Sequence, residues 1–328
     1  MTTSNSLPAI GISLGDPSGI GPEIVVSALS ELSRGQLDRI RIFGDEAILR
    51  EAFRLIGKDP ILPLSVDNSA SLKAEDVHWG HPNSATDKAQ VAYLESAMKA
   101  AKRGTIAGLA TAPISKVAAT RAGFAFPGHT EFLADRLNAD SVAMMFAGPK
   151  LNVVLATVHE AINNLDQVLT SERIVSAIVL ASRALRADFG IVRPRIGVLG
   201  LNPHAGEAGR FGDEEATLIS PAIAQAQALL GTEVSIHGPL VPDAAFRMPF
   251  DCFIAMYHDQ GLIAVKLIDF DESVNLTLGL PIVRTSPDHG VAYDIAGTGT
   301  ARSTSMSAAI GLAFRLVDQK FRSQSNAE

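Results

Sequence analysis

Short apolar runs alternate along this chain with stretches long enough to form helices, and that alternation constrains the fold more than any other feature. Residues 9–14, 39–43, 106–110, 151–156, 195–201 and 252–256 are apolar runs of strand length, each reading as a buried strand. Helical patterns occupy 22–32, 45–56, 87–103, 171–189 and 213–230, and a last helix spans 304–320 before a polar tail. In 87–103 the residues Val91, Leu94, Ala97, Met98 and Ala101 share a face; in 171–189 Ile174, Ile178, Ala181 and Leu185 do so. A third strand is expected at 61–64 and a polar surface loop at 65–84. Strands alternating with helices imply an α/β protein whose strands run parallel through right-handed crossovers. A length of 328 residues fits two such domains or one large one. A boundary near 123–128 and a return crossing near 287–299 give 1–127 plus 290–328 as the first α/β domain and 128–289 as the second.

Composition narrows the function. Hydrophobic residues make up 47% and charged residues 19%, as in a soluble globular protein. The net charge is -7 and no long basic run occurs, which argues against a nucleic-acid or membrane-surface partner. Cys252 is the single cysteine, so no internal disulfide framework exists; it reads as a buried apolar residue in a cytoplasmic protein. Residues 1–7 lack the basic and apolar regions of a signal peptide, and no apolar stretch is long enough to span a bilayer.

Three histidines each follow one of the apolar runs: His159 in Ala156-Thr157-Val158-His159-Glu160, His204 in Asn202-Pro203-His204-Ala205-Gly206-Glu207, and His258 in Tyr257-His258-Asp259-Gln260-Gly261. Ligands of an open α/β sheet gather at the carboxyl ends of its strands. Three imidazoles delivered there suit one divalent cation with a coordination position open to substrate.

Other strings carry weaker signals. Gly15-Asp16-Pro17-Ser18-Gly19-Ile20-Gly21 is not a dinucleotide fingerprint, since the G-x-G-x-x-G order is absent; the helix start after it reads either as an anion site or as a plain strand–helix turn. Gly128-His129-Thr130-Glu131 opens a helix with Thr130 as a candidate cap, and His129 with Thr130 suits a phosphate or carboxylate. Asp213-Glu214-Glu215 reads as an acidic helix start that favours the dipole. Lys266, Asn275 and Arg284 suit a phosphorylated, carboxylated substrate, with Arg284 expected at the carboxyl edge of a strand. Asp288-His289-Gly290 and Asp294-Ile295-Ala296-Gly297-Thr298-Gly299 form a glycine-rich loop that reads either as a dinucleotide contact or as a hinge. His78, His81 and His237 read as structural.

The strings at 15–23, 128–131, 202–207, 257–261 and 294–299, together with Val274-Asn275-Leu276-Thr277-Leu278-Gly279-Leu280-Pro281, occur in the order that resembles the PdxA family of 4-hydroxythreonine-4-phosphate dehydrogenases of vitamin B6 biosynthesis, over residues 10–316. The resemblance implies an isocitrate/isopropylmalate dehydrogenase-like α/β fold, two domains with a cleft between them, and a homodimer with its site at the subunit interface. The second domain would carry most metal and substrate residues and that interface. It implies His159, His204 and His258 as ligands of zinc, magnesium or cobalt, shared across the interface. His129, Thr130, Lys266, Asn275 and Arg284 would bind substrate. Asp288, His289, Gly290, Asp294 and Gly297 would hold NAD or NADP, and Lys266 or Asp259 would take the proton. The reaction implied is oxidation of 4-phosphohydroxy-L-threonine to a β-keto acid that loses carbon dioxide. The chain departs from the family at Glu160-Ala161-Ile162-Asn163, at Val291 in place of threonine and at Thr300 in place of lysine. Alternatives are a dehydrogenase for threonate or erythronate 4-phosphate or for a cis-dihydrodiol diacid, a phosphate acyltransferase, and a non-catalytic binding protein.

Overall fold

The computed structural model describes residues 7–61 and 63–325. In chain order the elements are β1 (Ile10–Ser13), α1 (Gly21–Leu29), α2 (Arg34–Leu37), β2 (Ile40–Gly44), α3 (Glu46–Leu55), β3 (Ser65–Asn68), α4 (Ser84–Lys102), β4 (Gly108–Thr111), α5 (Lys116–Arg121), α6 (His129–Leu137), β5 (Ala143–Ala147) and β6 (Asn152–Leu155). They continue with α7 (Leu165–Val168), α8 (Ser171–Ala187), β7 (Arg195–Leu199), α9 (Ser220–Leu230), β8 (Ser235–Leu240), α10 (Pro242–Ala245), β9 (Cys252–Ala255), α11 (His258–Ile268), β10 (Val274–Leu278), β11 (Val283–Ser286) and α12 (Thr304–Ser325). No helix among the described residues is long and apolar enough to cross a membrane.

The chain divides into two compact units. One comprises the described residues up to Ala139 with Leu280–Phe321; the other is Asp140–Gly279 with the described residues from Arg322 onward. The sequence reading cut the chain at 127/128 and 289/290. The structural division keeps α6 with the first unit because Arg136 on α6 pairs with Glu95 on α4 at 2.7 Å and Phe132 packs against Phe124 and Phe126. It keeps β11 there because β11 pairs with β4. His129, Thr130 and Arg284 therefore belong to the first unit.

In the first unit the strand order is β3-β2-β1-β4-β11, all parallel. Ile10 and Ile12 of β1 and Leu109 of β4 are fully buried, as expected for strands covered on both faces. Helix α12 lies on this sheet: a Cβ at Gly108 would stand 2.8 Å from Val317 Cγ2, and Thr285 Oγ1 donates to the Ala309 carbonyl at 2.9 Å. Asp45, at the end of β2, accepts from the backbone N–H groups of Ser71 and Leu72 and from Tyr93 Oη at 2.8 Å. One buried carboxylate thus ties the 70–72 segment and α4 to the sheet.

In the second unit the order is β10-β5-β6-β9-β7-β8. Strands β6, β9, β7 and β8 run parallel, but β5 is antiparallel to both β10 and β6. The expectation of parallel strands fails here for a simple reason. Residues 148–151 are all that join β5 to β6, and a crossover needs a dozen residues or more. The core gathers Phe146, Val153, Leu155, Leu199 and Phe253 under Leu262 and Val265 of α11.

Smaller expectations also shift. The third strand is at Ser65–Asn68, inside the segment read as loop, rather than at 61–64. Its polar side chains hid it, and Leu62 lies outside the described residues, as do residues 1–6 and 326–328. The last helix continues to Ser325, past the expected end at 320. The helix expected from residue 213 begins with a π-helical turn, Glu215–Ile219, before α9.

Candidate active site

Strands β6, β9 and β7 are parallel neighbours, so the loops after their carboxyl ends leave one edge of the second unit's sheet. Those loops carry His159, His258 and His204. The stems are tied together. Ala156 N–H donates to the Ala255 carbonyl at 2.8 Å and Thr157 Oγ1 to the Met256 carbonyl at 2.7 Å. Gln260 accepts the Met256 N–H and donates to the Gly200 carbonyl, both at 2.7 Å, linking the His258 turn to the end of β7.

The rings of His159 and His258 come to 5.8 Å between centroids. His258 Nδ1 lies 2.7 Å from Asp259 Oδ1. A carboxylate can only accept, so Nδ1 is the donor, which leaves Nε2 as the nitrogen available to a metal. His204 is held differently. Its φ is +55°, and Ala205, Glu207 and Ala208 are also left-handed, a conformation costly to residues other than glycine. Glu215 holds this loop: Oε1 accepts the N–H groups of Leu201 at 2.8 Å and Asn202 at 2.7 Å, and Oε2 accepts Asn202 Nδ2 at 3.1 Å. Burial pushes the Glu215 carboxyl up, but those hydrogen bonds outweigh it and hold it below the usual carboxylate range. The acidic cluster is therefore more than a solvated helix start, which corrects the sequence reading. Among the described residues no three His, Cys, Asp or Glu side chains of one chain stand close enough to hold a metal. The chain pairs His159 with His258 and presents His204 elsewhere on the same edge.

In the first unit His129 and Thr130 are the first two residues of α6. Gly128 occupies the cap position and no side chain caps the helix, so Thr130 is not the cap. His129 Nε2 is enclosed and has no hydrogen-bond partner. Burial, with the charges of Arg284 and Lys116 adding to it, holds the imidazole well below its ordinary pKa. Arg284 is 2% exposed. It is the second residue of β11 rather than the last, yet its Nη2 donates to Thr111 Oγ1, at the carboxyl end of β4, at 2.8 Å. Burial pushes the Arg284 guanidinium down to about 10, Glu131 opposing, so it remains charged at neutral pH. Lys116 opens α5; a Cβ at Gly128 would lie 3.9 Å from its Nζ. Sequence reasoning missed Lys116, although it follows Ala112-Pro113 at a strand's carboxyl end, where such sites form. A neutral imidazole without a partner, flanked by two cations, is a cradle for phosphate or carboxylate. Lys266 and Asn275 belong to the second unit. Lys266 Nζ sits 5.2 Å from the Phe270 ring centre, and Asn275 Oδ1 in β10 is buried without a hydrogen bond.

Asp288, His289, Gly290, Asp294 and Gly297 follow β11 in one loop. His289, Gly290 and Asp294 are exposed, and nothing stands within 4 Å of where a Gly290 Cβ would be, so this stretch is open to a ligand. The start of α1 is not. Ile20 N–H donates to the Val291 carbonyl at 2.9 Å, and Glu23, a buried acidic residue of the first turn, adds negative charge beside it. A taken N–H and a buried carboxylate suit a plain strand–helix turn better than an anion site. Among the remaining histidines, His237 lies in β8 with Nε2 2.6 Å from Ser235 Oγ.

Strand ends lined with ionisable side chains, an imidazole pair and a cationic cradle fit an α/β enzyme that acts on an anionic small molecule; the comparisons with known proteins place it among the oxidoreductases. The family model described as "Pyridoxal phosphate biosynthetic protein PdxA" matches residues 36–313. The chain is 44% identical over 326 residues to a 4-hydroxythreonine-4-phosphate dehydrogenase of Desulfosudis oleivorans, covering 94% of this chain and 96% of the relative. The crystal structure of the Klebsiella pneumoniae 4-hydroxythreonine-4-phosphate dehydrogenase superposes with a TM-score of 0.83 at 36% identity, over 94% of this chain and 99% of that one. A terephthalate 1,2-cis-dihydrodiol dehydrogenase of Burkholderia xenovorans LB400 gives 0.69 at 32% identity, over 94% and 98%. This chain belongs to the PdxA family, and its fold is the α/β fold of those structures.

Proposed function

We propose that the chain catalyses NAD-dependent, divalent-metal-dependent oxidation of 4-phosphohydroxy-L-threonine to a β-keto acid, which loses carbon dioxide to give 3-amino-2-oxopropyl phosphate on the route to pyridoxine 5'-phosphate. The observation that carries this reading is the enclosed, unpartnered His129 Nε2 between Arg284 and Lys116, a site made for a dianion. The names of the relatives at 44% and 36% identity support the particular substrate.

Imidazoles at one sheet edge, with the His258 tautomer fixed by Asp259, fit a late first-row divalent cation such as zinc or cobalt better than magnesium. Held by His159, His204 and His258, such an ion would supply Lewis-acid polarisation of the substrate's oxygens. NAD, or NADP, held along the 288–297 stretch would supply the hydride acceptor. The chain's own groups do the rest. His129, Thr130 and Arg284, with Lys116 beside them, grip the anionic end. Asn275 offers its buried Oδ1 to a substrate donor. Asp259 is engaged in orienting His258, which leaves Lys266 on the same helix as the proton acceptor. We further propose a homodimer that shares the three histidines. Ile263, Leu267 and Phe270 on and just after α11 are 61%, 82% and 60% exposed, an apolar strip on the element that begins with His258.

NADH formation from 4-phosphohydroxy-L-threonine, with and without a chelator, tests the reading. Turnover that persists undiminished in chelator, or none with this substrate, overturns it. The 32% identical dihydrodiol dehydrogenase, and the Glu160-Ala161-Ile162-Asn163 string beside His159, favour a cis-dihydrodiol diacid as the second reading. The same assay with that substrate and with threonate and erythronate 4-phosphates separates them.

A further inference from the structure

Glu23 is the third residue of α1, where an acidic side chain commonly turns back to cap its own helix. It does not do so; α1 has no side-chain cap. The Glu23 carboxylate is 1% exposed and reaches a distant segment instead. Oε1 accepts the N–H of Gly297 at 2.5 Å and Oε2 accepts the N–H of Gly299 at 3.0 Å. Both glycines have positive φ, 80° and 70°, so these bonds fix a backbone shape that few other residues would hold.

The same turn grips the loop at two further points. Asp16, fully buried, accepts from Tyr293 Oη on Oδ2 at 2.5 Å and from Ser18 N–H on Oδ1 at 2.8 Å. Ile20 N–H donates to the Val291 carbonyl. A Cβ at Gly19 would come within 2.8 Å of that carbonyl, so glycine is required for the approach. From the other side, Trp79 presses on the loop: a Cβ at Gly297 would stand 2.4 Å from Trp79 Cβ, while Gly80 N–H donates to the Ser18 carbonyl at 2.7 Å. Burying two carboxylates is costly, and burial raises the pKa of both. A turn needing only mechanical support would be served by neutral acceptors. The cost is incurred where the loop bends back, just beyond its open stretch at Asp288–Gly290 and Asp294.

We propose that Glu23 is a positioning residue for dinucleotide binding: by holding the amides of Gly297 and Gly299 it sets the glycine-rich loop in the shape that receives the cofactor. The inference rests on the reading of that loop as cofactor-binding. Glu23→Gln is the test. The amide keeps one acceptor and turns a donor toward the other N–H, so one of the two bonds is lost at constant size. Three measurements on the full chain read the outcome. Hydrogen exchange across 290–300 reports the loop. Acrylamide quenching of Trp79, the only tryptophan, reports its seating. Calorimetric titration with NAD reports affinity without any assumption about the substrate. Expected are faster exchange confined to 290–300, greater quenching, and a Kd for NAD raised about tenfold, as suits loss of a charge-assisted hydrogen bond. Phosphate affinity and melting temperature stay near those of the wild type. Tyr293→Phe, which removes the hydroxyl shared with Asp16 and Ser115 and leaves both Glu23 bonds in place, is expected to move the same readings in the same direction by less, and serves if Glu23→Gln fails to fold. Unchanged exchange overturns the latch itself. A loosened loop with unchanged NAD affinity overturns the cofactor reading of the loop, and the proposal with it. A uniform fall in melting temperature and in affinity for both NAD and phosphate assigns Glu23 a merely structural role and overturns the proposal.

Discussion

At His129, burial and two neighbouring cations act in one direction, and the imidazole is neutral at pH 7 in the absence of ligand. The sign of its contribution to stability follows. An imidazole whose folded pKa lies below the ordinary 6.5 stays unprotonated in the native state while the unfolded chain takes up a proton. Stability is therefore lost as pH falls below 6.5 towards the folded value, with a slope approaching about 1.4 kcal/mol per pH unit. His129→Asn removes that dependence, so urea midpoints of the variant should decline less between pH 7 and 5.5 than those of the wild type. The same variant should raise the KM for the phosphorylated substrate by about 10- to 100-fold, the range for losing a hydrogen bond to a charged group. Equal pH slopes in the two proteins would show that His129 is not the group held neutral. His129 itself was legible in Gly128-His129-Thr130-Glu131 because a histidine and a hydroxyl at a helix start are uncommon company. Lys116 was not, since a lone lysine after a proline resembles any surface residue until β4 and α6 bring it over Gly128.

Among the elements, strands and helices in which apolar residues are continuous or helically spaced were legible: β1, β2, β6, β7 and β9, with α3, α4 and α8, lie within a few residues of their expected places. The strands that escaped did so for separate physical reasons. β3 exposes polar side chains at the end of its unit's strand order, and β8 contains Gly238-Pro239, which argues against a strand except at an edge, where β8 lies. β5 and β10 pair antiparallel, a relation that periodicity does not encode. Glu215 shows the same limit at the site. Its sequence neighbours suggested a helix dipole partner, whereas its contacts make it the support of the strained His204 loop. Glu215→Ala should free Leu201 and Asn202, let the left-handed residues relax, and weaken zinc binding about 10- to 100-fold, the usual effect of losing support behind a metal ligand. Competition with a chromogenic chelator measures it. Zinc affinity unchanged in a variant whose 200–208 amides exchange faster would remove His204 from the ligand set.

For the molecule as a whole, the proposed donor set is one that a single chain does not complete. One chain brings His159 and His258 to 5.8 Å, and no three metal-binding side chains of that chain converge among the described residues. In the proposed homodimer a second copy completes the three-imidazole site, and the apolar strip beside His258 is the surface assigned to that copy. Ile263, Leu267 and Phe270 are exposed to 60% or more on and beside the helix that begins with His258. Such a strip is costly in a monomer, and covering a single leucine is worth about 1.5–3 kcal/mol. In a two-fold dimer each substitution acts twice, because the same patch serves both partners. Leu267→Asp places two carboxylates in the contact, so light scattering should show the mass fall from twice the chain mass to the chain mass at micromolar concentration. Its own fold should survive, since Leu267 is 82% exposed and supports nothing in the single chain. If the histidines are shared, zinc affinity and NADH formation must be lost together with the dimer, and mixing Leu267→Asp with His204→Ala chains must not restore them. A monomeric Leu267→Asp protein that keeps full metal-dependent turnover would place the whole site in one chain and refute the shared arrangement.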